Sequence, residues 1–235
     1  MQSLWFETAL LPGGWATSVR IAQEGGLIVG VETGTDAQGG DERGAVAIPG
    51  LCNLHSHAFQ RGMAGLAETR GPVGDDFWTW RTVMYRFVDR LGPGDVEAIA
   101  ALAYAEMLES GFTRVGEFHY LHHDLDGRPY ANPAELAARI AAASATTGIG
   151  LTLLPVFYAQ SGFDGAPPKA EQRRFINTPD SFAGLVEDSR RVVRDLPDAV
   201  VGVAPHSLRA VTPEQLAQIA PMSVANKKPV SKSTK

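Results

Sequence analysis

Short apolar runs alternate with polar stretches along most of the chain, and their lengths predict its secondary structure. Before residue 48 the apolar runs are short, and glycine pairs such as Gly13-Gly14 and Gly25-Gly26 separate them. Apolar runs of this length bounded by glycines are typical of strands joined by tight turns. Residues 1–48 are therefore predicted to form a small antiparallel β unit.

After Pro49 the pattern changes to strand-like runs that alternate with longer helical stretches. Helix-start signals recur, including Thr178-Pro179 and the capping-box pattern 212–215. Alternating strands and helices indicate βαβ units around a parallel sheet. Residues 49–222 are therefore predicted to be an α/β fold of about four strand–helix units. The four predicted strands are 51–54, 114–118, 150–157 and 200–204.

Polar, chemically capable side chains follow the predicted strands. They are His55 and His57, then Glu117, His119 and Tyr120, then Tyr158 and Gln160, then His206 and Arg209. Such groups at the C-terminal ends of successive parallel strands are typical of a (β/α)8 barrel active site. An open doubly wound sheet would also collect ligands there, but the first strand–helix turn carries no glycine-rich phosphate loop. A complete barrel takes about 250 residues, so the chain is predicted to be the N-terminal part of one.

The two histidines after the first barrel strand indicate a metal site. Side chains alternate along a strand, so His55 and His57 project from the same face, and both imidazoles can reach one ion. Imidazole suits zinc and neighbouring transition metals. The spacing therefore predicts a metal hydrolase. The alternative is a pair of strand-end histidines bonded to neighbouring backbone.

Composition narrows the classes of function. The net charge is −5, and no basic stripe with interleaved aromatic residues suggests nucleic acid as a partner. Cys52 is the single cysteine, so no internal disulfide forms, which fits a reducing compartment. Neither a secretory signal nor an apolar run of membrane-spanning length is recognisable. We therefore predict a cytoplasmic protein that does not bind membranes.

Lysine usage changes abruptly near the C-terminus. Lys169 is the one lysine before Met222, whereas residues 223–235 contain four. The change indicates a foreign or frameshifted segment, and a basic interaction tail is the alternative. We expect residues 223–235 to be disordered.

Several motifs together resemble the formiminoglutamate deiminases of histidine degradation, a family within the amidohydrolase superfamily. The resemblance extends from residue 1 to about residue 222. It implies a small β unit followed by a metal-binding barrel. It also implies hydrolysis of N-formimino-L-glutamate to N-formyl-L-glutamate and ammonia, with one divalent ion, usually zinc, and a homo-oligomer that is expected to be a dimer. The motifs lie at 49–57, 57–66, 76–81, 116–122 and 204–209.

The resemblance also implies roles for individual residues. His55 and His57 would be metal ligands, and metal-activated water would attack the formimino carbon. Arginine pairs with carboxylates bidentately, so Arg81 and Arg209 are expected to bind the two carboxylates of the substrate. The alternative for each arginine is a solvated surface charge. The alternative for the other residues is ordinary packing. The implied substrate-binding residues are Gln60, Arg81, Tyr120, His206 and Arg209.

The chain departs from this family in its later motifs. The family uses a third metal histidine, a glutamate three residues after it, another histidine and a metal-binding aspartate. No position here matches them, because His206 is the last histidine and no acidic residue follows Glu214. We therefore assign no catalytic residue and expect a truncated, nearly inactive enzyme. Two alternatives stay open: a deaminase of a nucleobase or another amidine, and a non-catalytic fragment that self-associates.

Overall fold

The computed structural model describes residues 2–68, 74 and 76–226. The chain divides into two compact units, Met1–Leu51 and Cys52–Lys235. In the described part of the chain, no helix is both long and apolar enough to cross a membrane.

The first unit is a four-stranded sheet in the order β3-β2-β1-β4. Its strands are β1 (Gln2–Leu11), β2 (Gly14–Glu24), β3 (Leu27–Glu32) and β4 (Glu42–Ala47). Gly25 and Gly26 have φ angles of +59° and +81°, which glycine adopts readily, and they form the tight turn between β2 and β3. β1, β2 and β3 pair antiparallel, as predicted, whereas β4 pairs with β1 in parallel. The reason is that the connection after β3 carries the chain to the far side of β1.

The second unit is built around a parallel sheet in the order β5-β6-β7-β8, with β9 also paired to β7. Its strands are β5 (Leu51–Ser56), β6 (Phe112–His119), β7 (Gly150–Phe157), β8 (Val200–Val201) and β9 (Ala204–Pro205). Its helices are α1 (Phe77–Val88), α2 (Pro93–Glu109), α3 (Glu135–Thr147), α4 (Pro179–Val192) and α5 (Pro213–Ile219). The predicted α/β class is confirmed. Strands β6 and β7 are largely buried, and Val115, Leu153 and Phe157 in them are inaccessible to solvent.

Three local features differ from the sequence-based expectation. The predicted strand 200–204 is split into β8 and β9, because the residue pairing with β7 is interrupted at residues 202–203, although the Gly202 amide still donates to the Leu153 carbonyl at 2.9 Å. Residues 223–226 form the end of a 3-10 helix and are not disordered, since the Ser223 hydroxyl donates to the Ala220 carbonyl. The rest of the predicted tail, 227–235, lies outside the described residues.

Helix α1 is the third difference, because no helix is predicted there. Asp76 caps its N-terminus and accepts hydrogen bonds from the Trp78 and Thr79 amides. The Thr79 hydroxyl interacts in return with the Asp76 amide, which completes a capping box. This helix carries Arg81, so it places one of the predicted substrate-binding residues.

Candidate metal and substrate site

The His55–His57 pair lies where β5 ends. The Nε2 atoms of the two rings are 3.0 Å apart. His57 Nδ1 lies 3.0 Å from the Phe118 carbonyl, which can only accept, so Nδ1 carries the proton and Nε2 keeps a free lone pair. Burial and the neighbouring His55 lower the pKa of His57, against a rise from the Phe118 bond, so the ring is neutral at pH 7.

This geometry fits a shared metal ion. Two ligands of a tetrahedral zinc ion with bonds of ~2.0 Å are about 3.3 Å apart, close to the 3.0 Å between the two Nε2 atoms. Without an ion, a hydrogen bond between the rings occupies the same atoms. The bond to Phe118 shows that part of the alternative reading, a histidine bonded to backbone, also applies to His57.

A buried glutamate binds the residues on both sides of His57, the backbone of one and the side chain of the other. Glu117 Oε1 accepts from the Ala58 amide at 2.8 Å, and Oε2 accepts from the Tyr104 hydroxyl at 3.1 Å. The Ser56 side chain is a further hydrogen-bond partner of this carboxyl group. Burial raises the pKa of Glu117 to about 7, although these donors oppose the rise. Glu117 therefore fixes the turn that carries His57.

A cavity of about 200 Å³ opens beside His57. The structure brings all five predicted substrate-binding residues to its wall, and His55 adjoins it through His57. The roles of these residues stay predictions. The lining residues are His57, Gln60, Phe77, Trp80, Arg81, Met84, Tyr85, Tyr120, Tyr158, Phe175, His206 and Arg209.

Two arginines give this cavity positive charge. Arg81 is buried, its Nε donates to the Tyr85 hydroxyl at 2.7 Å, and its guanidinium lies 5.5 Å from the centre of the Trp78 ring. Arg209 has a buried Nε without a hydrogen-bond partner. Within the described residues neither arginine forms an ion pair with a carboxylate. Buried charge without a counter-ion is costly, so the cavity suits an anionic ligand.

The remaining predicted residues supply neutral polar groups. Gln60 Nε2 donates to the Tyr120 hydroxyl at 2.8 Å, and burial raises the pKa of Tyr120, which keeps it protonated. The ring centres of His206 and Tyr158 are 4.4 Å apart. Burial, followed by the charge of Arg209, lowers the pKa of His206 to about 4, so this imidazole is neutral near pH 7.

Sequence reasoning missed several residues of the cavity wall. Tyr85 and Trp80 belong to α1, which was not predicted. Phe175 follows a loop whose position the hydrophobic pattern of the sequence does not predict. The available signal was Asp76, an N-cap residue followed three positions later by Thr79. Once α1 is recognised, Tyr85 falls one helical turn after Arg81, on the same face.

Three further histidines, His119, His122 and His123, lie at the end of β6 or shortly after it. His122 Nε2 lies 2.9 Å from the Val156 carbonyl, and His123 Nε2 lies 2.8 Å from the Ile176 carbonyl. Over the ranges that the structure covers, no group of three or more His, Cys, Asp or Glu residues is arranged to hold a metal ion.

Residues 46–231 match the family described as "Amidohydrolase family". The chain therefore belongs to the amidohydrolase family. Residues 1–45 match the domain described as "Formimidoylglutamate deiminase HutF, N-terminal domain". These matches confirm the resemblance found in the motifs and, with the observed parallel sheet, the prediction of a partial α/β barrel.

Two similar proteins carry the comparison further. The chain is 50% identical over 210 residues to the formimidoylglutamate deiminase of Pseudomonas aeruginosa. The matched region covers 89% of this chain and 46% of that protein. It is 58% identical to an amidohydrolase from Brucella melitensis of known crystal structure, with a TM-score of 0.90, covering 93% of this chain and 49% of that one. The chain thus spans about half the length of the relatives that it matches.

A more distant structure shares the fold alone. It is an adenosine deaminase from Xanthomonas campestris, whose crystal structure has bound zinc. Its identity to this chain is 20% with a TM-score of 0.63, over 94% of this chain and 46% of that one.

Proposed function

We propose that this chain serves the hydrolytic deimination of N-formimino-L-glutamate to N-formyl-L-glutamate and ammonia, in histidine degradation. The observation that carries the proposal is the cavity in which Arg81 and Arg209, neither paired with a carboxylate of the described residues, lie beside the His55–His57 pair. The proposed substrate has two carboxylates and one formimino group, which match these features. A neutral nucleobase would leave both arginines without a counter-ion, so the alternative deaminase is disfavoured.

We infer that His55 and His57 bind one divalent ion, most suitably zinc, through their facing Nε2 atoms. Such an ion, when bound, supplies a coordinated water with a pKa of ~7 as a nucleophile. Catalytic zinc sites usually have three protein ligands. The described residues supply two, so we propose that this chain alone binds zinc weakly and has little activity.

The chain's own residues would bind and orient the substrate. Arg81 and Arg209 would each pair with a carboxylate, because the guanidinium fork matches its two oxygens. Tyr120 and Gln60 form one hydrogen-bonded unit that can orient the formimino end. The neutral His206 can accept or donate one hydrogen bond without adding positive charge.

We further propose a cytoplasmic homo-oligomer that takes a small molecule as its ligand and does not bind nucleic acid. The single cysteine and the net charge of −5 support this proposal. Light scattering on the purified chain measures the oligomeric state directly, and a monomer at all concentrations would contradict that part.

Calorimetric titration of the full chain with N-formimino-L-glutamate, in the presence of zinc, tests the proposed function. We expect saturable binding at one site and none for guanine, which represents the nucleobase alternative. Arg209→Met should abolish the binding, whereas Arg86→Met, an exposed arginine outside this cavity, should not. Absence of binding by the unaltered chain would contradict the proposed substrate.

An ammonia-release assay on the same sample tests the proposal about activity. Turnover by the chain alone at a rate typical of enzymes would contradict the inference that further ligands are needed.

A further inference from the structure

Gln172 lies behind the cavity, in the 3-10 helix Ala170–Gln172, and is completely buried without lining the cavity. Its Oε1 accepts a hydrogen bond from the Lys169 amide at 2.8 Å. A backbone amide can only donate, so this contact establishes which end of the side-chain amide is the oxygen. The Nε2 end, which can only donate, is therefore turned toward the tyrosines of the cavity wall.

Two tyrosine hydroxyls receive hydrogen bonds from this side. Gln172 Nε2 donates to the Tyr158 hydroxyl at 2.7 Å, and Gln172 is also a side-chain hydrogen-bond partner of the Tyr85 hydroxyl. The Tyr85 oxygen accepts a second bond from Arg81 Nε at 2.7 Å. Burial, the largest effect, raises the pKa of Tyr85, so its hydroxyl keeps its proton.

The protons of these two hydroxyls must point away from these donors, because an N–H group of Gln172 occupies one lone pair of the Tyr158 oxygen, and N–H groups of Gln172 and Arg81 occupy both lone pairs of the Tyr85 oxygen. None of the hydrogen bonds among the described residues has Tyr85 or Tyr158 as the donor through its hydroxyl. Both residues line the cavity, so a ligand in it is the available acceptor. With Arg81, these hydroxyls give this part of the wall three side chains that can donate hydrogen bonds to a ligand.

We propose that Gln172 is a positioning residue that directs the Tyr85 and Tyr158 hydroxyl protons into the cavity, where they and Arg81 select a carboxylate over a carboxamide. A carboxylate has only acceptor oxygens and satisfies every donor. A carboxamide has one acceptor oxygen and one NH₂ group, which can only donate. Its NH₂ group would face the donors of Arg81 and the two tyrosines, and these donors would be left without acceptors. The inference rests on the proposed function, since it assigns the carboxylate end of the same cavity.

The test is the preference of the full chain for glutarate over glutaramate, measured by calorimetric titration. The two probes have the same length and differ by one carboxylate-to-carboxamide change. A hydrogen bond to a charged group contributes enough that we expect the unaltered chain to prefer glutarate about tenfold or more. In Gln172→Glu, the carboxylate can still accept from the Lys169 amide, but it now presents an acceptor to the tyrosines. Their protons turn toward it, and we expect the preference to fall to about onefold to threefold.

Gln160→Glu is the matched control. Gln160 is also a buried glutamine, but its Nε2 donates to Gln215 Oε1 at 2.9 Å and it does not line the cavity. This variant also buries a carboxylate, at a similar cost in stability, and it should keep the preference for glutarate. A general loss of stability would affect both variants alike.

Tyr85→Phe with Tyr158→Phe gives a second route that does not depend on whether Gln172→Glu folds. The double variant removes both donors and should lose the preference by itself. Adding Gln172→Glu to it should have little further effect, because a positioning residue acts through the hydroxyls.

Each outcome decides the inference. An unaltered chain that binds neither probe or shows no preference overturns it, and so does a preference retained in Gln172→Glu or in the double tyrosine variant. A preference that disappears as described, in a chain that does not bind N-formimino-L-glutamate, supports the inference while contradicting the proposed function.

Discussion

At the scale of single residues, Arg81 shows how burial and chemistry combine at this site. It is buried, held by one neutral hydroxyl and two aromatic rings, and no carboxylate of the described chain balances its charge. Such a group is expensive to keep in an empty cavity and is stabilised by an anionic ligand. Its surroundings therefore favour a role in binding over one in folding.

The first prediction concerns this guanidinium. Arg81→Lys keeps the charge but loses the planar fork and the stacking on Trp78 and Tyr85. We expect the dissociation constant for N-formimino-L-glutamate to rise about tenfold to a hundredfold, measured by calorimetry. Arg86→Lys, an exposed arginine of the same helix, serves as the control. Equal affinities of Arg81→Lys and the unaltered chain would contradict the assigned role.

The second prediction concerns pH. Burial lowers the pKa of His119 to about 4, below the ~6.5 of an unfolded histidine. The unfolded state therefore binds the proton first, and the free energy of unfolding falls as the pH drops from about 6.5 to about 4. The loss is at most ~1.4 kcal/mol per pH unit for one histidine.

Denaturant unfolding across this pH range checks the prediction. His119→Leu, which cannot titrate, should show a shallower loss of stability than the unaltered chain. Identical pH profiles for the two proteins would show that His119 is not protonated preferentially in the unfolded state.

At the scale of secondary-structure elements, α1 is held at both ends. Asp76 caps its start, and Arg174, which is 1% exposed, binds carbonyls at its end. The guanidinium donates to the Val88 carbonyl and, at 3.0 Å, to the Leu91 carbonyl. Carbonyls in the last turn of a helix lack partners within the helix, so this buried cation supplies them.

The third prediction follows from that anchor. Arg174→Met removes the donor to the Leu91 carbonyl and one of the two donors to the Val88 carbonyl, which also accepts from the Leu91 amide, and should lower the free energy of unfolding by about 3 kcal/mol. Arg173→Met is the matched control, because Arg173 pairs with Asp89 at the surface and should cost about 1 kcal/mol. Chemical denaturation measures both values, and similar costs would contradict the anchoring role.

The fourth prediction concerns the contact between β5 and β6. A Cβ at Gly116 would lie 2.8 Å from the Leu54 carbonyl oxygen, which belongs to the backbone and cannot move alone. Gly116→Ala should therefore cost about 1–3 kcal/mol and shift β5, which carries His55. In α4, a Cβ at Gly184 would meet no atom of the described residues within 4 Å, so Gly184→Ala should be neutral or stabilising by about 1 kcal/mol.

Thermal unfolding compares the stability of the two glycine variants, and zinc titration compares the His55–His57 site. Weaker zinc binding is expected in Gly116→Ala alone. A Gly116→Ala chain as stable as Gly184→Ala would contradict the close approach of the strands.

The secondary-structure elements also show how much of the fold and of the site could be predicted from the sequence. Side chains alternate between the two faces of a strand, and this rule was sufficient to predict that His55 and His57 lie close together, because it relates residues that are two positions apart. Arg81 was implied by resemblance alone, since α1 depends on the Asp76 cap and on tertiary anchoring by Arg174, which a periodic pattern does not reveal. The split of 200–204 into β8 and β9 depends on where pairing with the distant strand β7 is interrupted and was not predictable locally.

At the scale of the whole molecule, the described residues combine a cavity that we propose to bind carboxylates with two of the ligands that we propose for a metal ion. Arg81, Arg209, Gln60 and Tyr120 line one cavity, and the Nε2 atoms of His55 and His57 face each other beside it at 3.0 Å. The relatives that it matches are about twice as long. We therefore expect a measurement of substrate binding to test the proposed function of this chain better than a measurement of turnover.

The most direct measurement follows the arginine Nε–H signals of the full chain by NMR during titration with N-formimino-L-glutamate. We predict that the signals of Arg81 and Arg209, assigned with Arg81→Lys and Arg209→Met, shift together and saturate with one dissociation constant. Saturable binding that leaves both signals unmoved, or no binding at millimolar ligand, would contradict the proposed role of the two arginines.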